Sequence, residues 1–323
     1  MNILICFSQN FMIPIGVMLE SLYVAHKDED LNIYAIIDED ITTEDKKALD
    51  YLVQKHNGLK IHYYNYRFDY KLIDSIPSIG TTGIGRATYY FRLFAATILP
   101  NEVERVLYLD ADTIVMGSLQ GLWNKDIGEC AVAGAIDQDQ SYQQYNRLHY
   151  PSRKGYINTG VLLINLKYWR EHCVEKRFVD FMQNYPERIK WWDQDVINSV
   201  LQDEKSFIPL KYNVQHTFYW QLQYCRIDYW GMESEIIDAR KNPIVLHFTG
   251  RIKPWHIECQ HPHKDVFLKF KKNTMWADVP LISVSAKLSL KQKCRSFIRE
   301  MLVKLHLMSP IISVNEYIQV VEE

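Results

Sequence analysis

No apolar run in this 323-residue chain is long enough to cross a bilayer, and Pro14 interrupts the first one. No basic segment precedes that run, so the N-terminus reads as a strand rather than a signal peptide. The six cysteines (Cys6, Cys130, Cys173, Cys225, Cys259, Cys294) are scattered and form no C-x-x-C pair. That excludes a disulfide scaffold and fits a reducing compartment. A net charge of -2 supplies no global field for nucleic acid. There are no repeats and no low-complexity segment. The G-x-G at Gly83–Gly85 lacks a preceding strand and the spacing of a dinucleotide fingerprint. What remains, at 47% hydrophobic and 24% charged residues, is an ordinary globular protein expected in the cytoplasm. Aromatics are plentiful, with 21 Tyr and 8 Trp, enough to stack on rings as well as fill a core.

The first 65 residues alternate strand and helix. Ile3–Phe7 reads as a buried strand, and Pro14 opens an apolar helix to about His26 after the polar Ser8-Gln9-Asn10. Leu31–Ile37 is a second strand. Thr42 or Thr43 caps a helix to about His56, Gly58 ends it, and Leu59–Tyr64 is a third strand. This alternation predicts an α/β fold with a mostly parallel sheet and a ligand site at the carboxyl ends of its strands. Residues 66–85 read as an irregular, mobile loop, and Arg86–Ile98 as a helix carrying Arg86 and Arg92. Further strands are expected at Ala131–Ile136, Val161–Asn165 and Ile244–His247, and helices from Trp169 onwards and from a start at Trp191-Trp192-Asp193-Gln194-Asp195, the latter with Val196, Ile197 and Val200 as its apolar face.

The chemistry concentrates at Arg105–Val115, RVLYLDADTIV. A buried strand that ends on two carboxylates is costly unless something pairs them. At i and i+2 on extended backbone, Asp110 and Asp112 share a face. On a bend they can converge on one hard divalent cation, Mn²⁺ or Mg²⁺, which prefers oxygen ligands. Such an ion could neutralise a diphosphate leaving group. Taken alone, D-x-D is also common in plain turns.

Four segments, RVLYLDADTIV, YINTGVLLINL, WWDQDVIN and LHFTGRIKPW, together resemble the motif set of the retaining glycosyltransferases of family 8. The similarity covers roughly residues 1–270 and is nearest to the bacterial lipopolysaccharide α-galactosyl- and α-glucosyltransferases. It implies a GT-A, Rossmann-like catalytic domain over residues 1–280, followed by a small extension over 281–323. It also implies a UDP-hexose donor, with galactose or glucose transferred to a saccharide or lipid-linked saccharide.

The resemblance implies roles for individual residues. Asp110 and Asp112, with His247, would hold Mn²⁺ on the donor diphosphate, and Ala111 lies between them. A lone His at a strand end is more often core. This one stands three residues before Gly250 and six before Lys253, which would contact the phosphates. Arg92 would reach the donor. Cys6, Ser8 and Asn10 occupy the turn that binds uracil and ribose, and Phe11 would stack on the base. Here the chain departs from the family, because Ser8 replaces the aspartate usual in that turn. Asn158, Asp193 and Gln194 would surround the transferred sugar. Gln194 is expected opposite the leaving group, and an amide is a poor nucleophile. A front-face attack is therefore favoured, with Asp193 as the alternative nucleophile.

Bland readings accompany these roles. Asn158 also fits a turn cap before Gly160, Asp193 a helix N-cap, and Trp191 and Trp192 packing. Cys259-Gln260-His261-Pro262-His263 reads as surface loop, since no second cluster completes four ligands. Beyond Ser285, Leu290, Cys294, Phe297, Ile298, Met301, Leu302 and Leu305 share one helical face flanked by Lys and Arg. That face suits an anionic membrane surface or packing on protein. The competing function is a non-catalytic nucleotide-sugar or glycan-binding relative. A nucleotidyltransferase would need a G-G-x-G-T-R-type loop that the N-terminus lacks, and a self-glucosylating initiator is a weaker likeness.

Overall fold

The computed structural model describes residues 1–76, 84–138, 141–219 and 231–284, with 298, 301, 302, 305 and 307 beyond them. Residues 77–83 of the expected loop, Cys225 and Cys294 lie outside the described residues, as do Leu290 and Phe297 of the C-terminal face. In chain order the strands are β1 (Asn2–Phe7), β2 (Leu31–Ile37), β3 (Leu59–Asn65), β4 (Arg105–Leu109), β5 (Thr113–Val115), β6 (Val132–Ile136), β7 (Ile157–Asn165), β8 (Lys205–Phe207), β9 (Val214–Gln215) and β10 (Val245–His247).

Seven strands form one sheet in the order β3-β2-β1-β4-β7-β6-β8. Only β7 runs against its neighbours β4 and β6, so the sheet is mostly parallel. Near-continuous apolar runs make this arrangement: Ile3, Leu4 and Ile5, and then Val106–Leu109, are fully buried, as strands covered on both faces must be. Helices lie over both faces. The helix Met12–Ala25 is apolar nearly all round and sunk in the core, while Thr43–Lys55 is amphipathic. Thr42 caps the latter in a reciprocal box with Asp45, a Thr Oγ1 accepting from the Asp45 N–H at 3.1 Å.

Two expectations need correction, and the strand expected over Ile244–His247 is met outside the large sheet. Residues 84–94 form tighter 3-10 turns, and only Ala95–Ile98 is α-helical. Within the expected irregular loop, Lys71–Asp74 makes one helical turn. The last strand, β10, does not join the large sheet. It pairs antiparallel with β5 and parallel with β9 in a separate three-stranded sheet. The D-x-D therefore links the two sheets, β4 entering from one and β5 leaving into the other.

Past Lys271 the chain stays fastened to the domain. Ile282 exchanges backbone bonds with Trp255 and Ile257, at 3.0 Å each. Of the C-terminal extension, Ile298, Met301, Leu305 and Leu307 are exposed. No helix among the described residues is long and apolar enough to cross a membrane.

Candidate active site

The carboxyl ends of β1 and β4 and the amino end of the antiparallel β7 open into a cavity of about 870 Å³. Its wall contains Cys6, Phe11, Arg92, Asp110, Ala111, Asp112, Asn158, Asp193, Gln194, His247, Gly250 and Lys253. Two expected residues stand elsewhere. Ser8 is buried at the end of β1, and Asn10 sits on an exposed turn. The tight turn Gln9–Phe11 causes this, tucking Ser8 inward and turning Asn10 to solvent.

Asp110, Asp112 and His247 converge, with one ligand atom from each lying within 4.8 Å of the others. The bend is built locally: the Thr113 N–H and Oγ1 both donate to the Asp110 carbonyl, at 3.2 and 2.8 Å. His247 Nε2 stands 3.2 Å from Asp112 Oδ1 and 3.6 Å from Asp110 Oδ2. Its other nitrogen, Nδ1, is 2.9 Å from Asn213 Oδ1. The Asn213 amide nitrogen donates to Asn158 Oδ1 at 2.9 Å, which makes Oδ1 of Asn213 the acceptor from the ring. Nε2 thus keeps its lone pair for the carboxylate side. Two carboxylates and one neutral imidazole suit a divalent ion such as Mn²⁺ or Mg²⁺. Gly160 leaves the room, since a Cβ there would lie 2.1 Å from His247 Cε1.

Charges balance around this triad. Lys253 Nζ reaches Asp112 Oδ2 at 2.5 Å and the Phe248 carbonyl at 2.6 Å. Burial opposes ionisation of Asp112, but the Lys253 ammonium beside it holds its carboxyl well below the usual range. Arg92 is 4% exposed and committed to protein: it donates to Asp110 Oδ1 and to the Thr159 carbonyl, each at 2.8 Å. Its Nε is 3.4 Å from Asp193 Oδ2, and its guanidinium covers the Tyr108 ring at 4.0 Å. Burial raises Asp193 to about 6 against the pull of Arg92.

Asn158 lies inside β7 rather than in a turn. Its Oδ1 accepts from the Gly160 N–H at 2.9 Å, and its amide donates to Asp137 at 2.9 Å. Asp193 is not the helix cap: it sits within the first turn and accepts from Thr159 Oγ1 at 2.9 Å. Gln194 donates to Asp137 at 3.2 Å and accepts from the Thr159 N–H at 3.1 Å. Asp195, with no exposed surface, anchors this helix start by accepting from Arg147, Tyr156 and the Lys190 and Trp191 N–H groups. Trp192 packs as expected, stacked on Tyr89 at 4.5 Å and 11°, and Trp191 also forms cavity wall.

The Cys259–His263 segment is a loop, as expected, but only partly at the surface. Cys259 is buried, and His261 rests 4.7 Å from the Phe248 ring and 5.0 Å from that of Tyr219. It is an aromatic cluster. Among the described residues, the only group with three ligand side chains in reach is Asp110, Asp112 and His247. Sequence reading missed Asp137, Asn213 and Tyr89. Asp137 carried a usable signal, because it ends the apolar strand β6 as Asp110 ends β4.

The glycosyl transferase family 8 profile matches residues 2–259. The lipopolysaccharide glucosyltransferase WaaO of Escherichia coli K12 is 29% identical over 90% of this chain and 84% of its own length. The lipopolysaccharide 1,3-galactosyltransferase of Salmonella typhimurium is 28% identical over 87% of this chain and 81% of its own. Among solved structures, galactosyltransferase LgtC in complex with donor and acceptor sugar analogs superposes with a TM-score of 0.70 at 22% identity, covering 91% of this chain and all of that one. With the sheet order and the convergent triad, these matches place the chain in glycosyltransferase family 8, as a glycosyltransferase of the GT-A fold.

Proposed function

We propose that this glycosyltransferase moves a hexose, galactose or glucose, from a UDP-sugar to a saccharide or lipid-linked saccharide, with retention at the anomeric carbon. The observation that carries the reading is the placing of Asp110, Asp112 and His247 in one cavity wall with Lys253. That set answers the charge of a diphosphate. The relatives named for galactosyl and glucosyl transfer support the choice of hexose.

Asp110, Asp112 and His247 would hold Mn²⁺, with Mg²⁺ as the alternative, and the ion would supply positive charge to the departing diphosphate. Lys253 adds a second cation beside Asp112. Arg92 acts through Asp110 and Asp193, whose carboxylates it orients. Gln194 and Asp193 face the sugar. The Gln194 amide is held at both ends, by Asp137 and Thr159, so it positions rather than attacks. The Asp193 carboxylate is likewise engaged by Thr159 and Arg92. Both constraints favour front-face transfer, in which a diphosphate oxygen takes the acceptor proton.

The division into a catalytic domain over 1–280 and an extension over 281–323 belongs to the same proposal, as does contact of the extension's apolar face with the inner face of the cell membrane. The test is calorimetric titration with UDP and a panel of UDP-sugars, with Mn²⁺ and with chelator, on wild type and Asp110→Ala/Asp112→Ala. Binding that needs both the ion and the aspartates is the expected result. No binding of any uridine diphosphate species would sink the reading. Substantial turnover by Gln194→Ala would exclude a covalent Gln194 intermediate.

A further inference from the structure

Ser8 stands where the family usually carries an aspartate, yet a buried carboxylate lies next to it from the neighbouring strand. β1 and β2 run parallel with Phe7 opposite Ile37, and the Asp38 N–H donates to the Phe7 carbonyl at 3.2 Å. Ser8 and Asp38 therefore leave adjoining strands side by side. Each is 1% exposed. One oxygen of Asp38 accepts from the Glu39 N–H at 2.8 Å. The other, and the Ser8 hydroxyl, find no hydrogen-bond partner among the described residues. Two unmet polar groups at adjacent strand ends are costly, and such groups in a native fold call for an external partner.

Their position says which partner. Cys6, two residues before Ser8, and Phe11, three after, both form cavity wall, and the Phe11 N–H donates to the Ser8 carbonyl at 2.9 Å. Ser8 and Asp38 do not line the cavity themselves; they lie behind the wall that Cys6 and Phe11 form, at the carboxyl ends of β1 and β2, the side on which open α/β sheets take nucleotides. Burial raises the Asp38 carboxyl above its usual range, as expected for a group whose partner donor has yet to arrive.

We propose that Asp38, with Ser8 beside it, reads the nucleobase, the Asp38 carboxylate accepting the ring N–H of uracil in place of the missing turn aspartate. This rests on the donor reading above. Uracil presents an imide N–H between two carbonyls. Cytosine presents a bare ring nitrogen at the same place, and two lone pairs would then face each other.

The test compares UDP, CDP and inorganic pyrophosphate by calorimetry, each with Mn²⁺, on the full chain. Wild type is expected to prefer UDP. Asp38→Asn should weaken UDP by about tenfold or more and bring the UDP/CDP ratio towards one, leaving pyrophosphate unchanged. Ser8→Asp added to Asp38→Asn should restore the preference. An unchanged UDP/CDP ratio in both Asp38→Asn and Asp38→Ala overturns the proposal alone. So does an equal loss of UDP, CDP and pyrophosphate, which would mark a structural role. Failure of the wild type to bind UDP would instead overturn the donor reading beneath it.

Discussion

Asn213 Oδ1 lies 2.9 Å from His247 Nδ1, and that contact decides which ring nitrogen faces Asp110 and Asp112. Asn213 is fully buried and touches neither carboxylate, so its influence on an ion passes through the histidine. Asn213→Leu should weaken Mn²⁺ binding by about 10- to 100-fold, the usual effect of losing a residue that orients a ligand histidine. Titration of the apo-protein with Mn²⁺ measures this, and a circular-dichroism melt separates it from unfolding.

Gly160 should tolerate no side chain. An alanine Cβ would meet His247 Cε1 at 2.1 Å and Nε2 at 2.8 Å, so the ring or β7 must move. Gly160→Ala is expected to abolish metal-dependent donor binding and lower the melting temperature. Gly128→Ala is the control: its left-handed backbone (φ 52°) costs stability, but a Cβ there meets nothing within 4 Å and the ion site is distant in the chain.

Trp192 holds φ 42°, in the left-handed region that an indole side chain seldom adopts. Holding it costs about 1–3 kcal/mol, and stacking on Tyr89 offsets part of that. Asp193 and Gln194 follow directly, so the twist aims them. Trp192→Gly removes the strain together with the stack. We expect kcat to fall more than tenfold while donor affinity changes little, which steady-state kinetics with UDP-galactose and UDP-glucose would show.

Acid should destabilise the metal-free protein through His216. Burial, then Lys253 and His247, depress this histidine to about 4 from an ordinary 6.5. Between those values the unfolded chain binds a proton that the folded chain refuses. The stabilisation is complete above pH 6.5 and is lost as pH falls to about 4, by at most roughly 3 kcal/mol. Burial lowers His261 and His263 as well, adding in the same direction. Urea melts at pH 7.5, 6 and 5 should show falling midpoints, and His216→Asn should flatten part of the fall.

The parts of this fold that could be read in advance are those that depend on near neighbours in sequence. β1 and β4 announce themselves as unbroken apolar runs, the Thr42 cap by its residue type, and the D-x-D by two carboxylates ending a buried strand. Of the second sheet only β10 was expected as a strand, and nothing marked it as part of a separate sheet. β5, β9 and β10 have three, two and three residues, too few for any periodicity, and each finds its partner far along the chain. Asn213 was silent for the same reason, as a buried amide between short elements. The loss of the turn aspartate at Ser8 could be seen in sequence, but Asp38 could not be set beside it before the register of β1 on β2 was known.

The link from β4 to β5 carries Asp110 and Asp112, and β10 of the small sheet ends on His247. An ion held by these three residues would therefore close a seam between two sheets as well as meet a diphosphate. Loss of the ion after transfer would unfasten that seam, and the segment from Phe248 to Trp255, which includes Lys253, would lose one of its moorings. Occupancy of the site thus becomes a contribution to the stability of the C-terminal wall. Slower amide exchange across residues 244–256 when Mn²⁺ and UDP are present would be its signature.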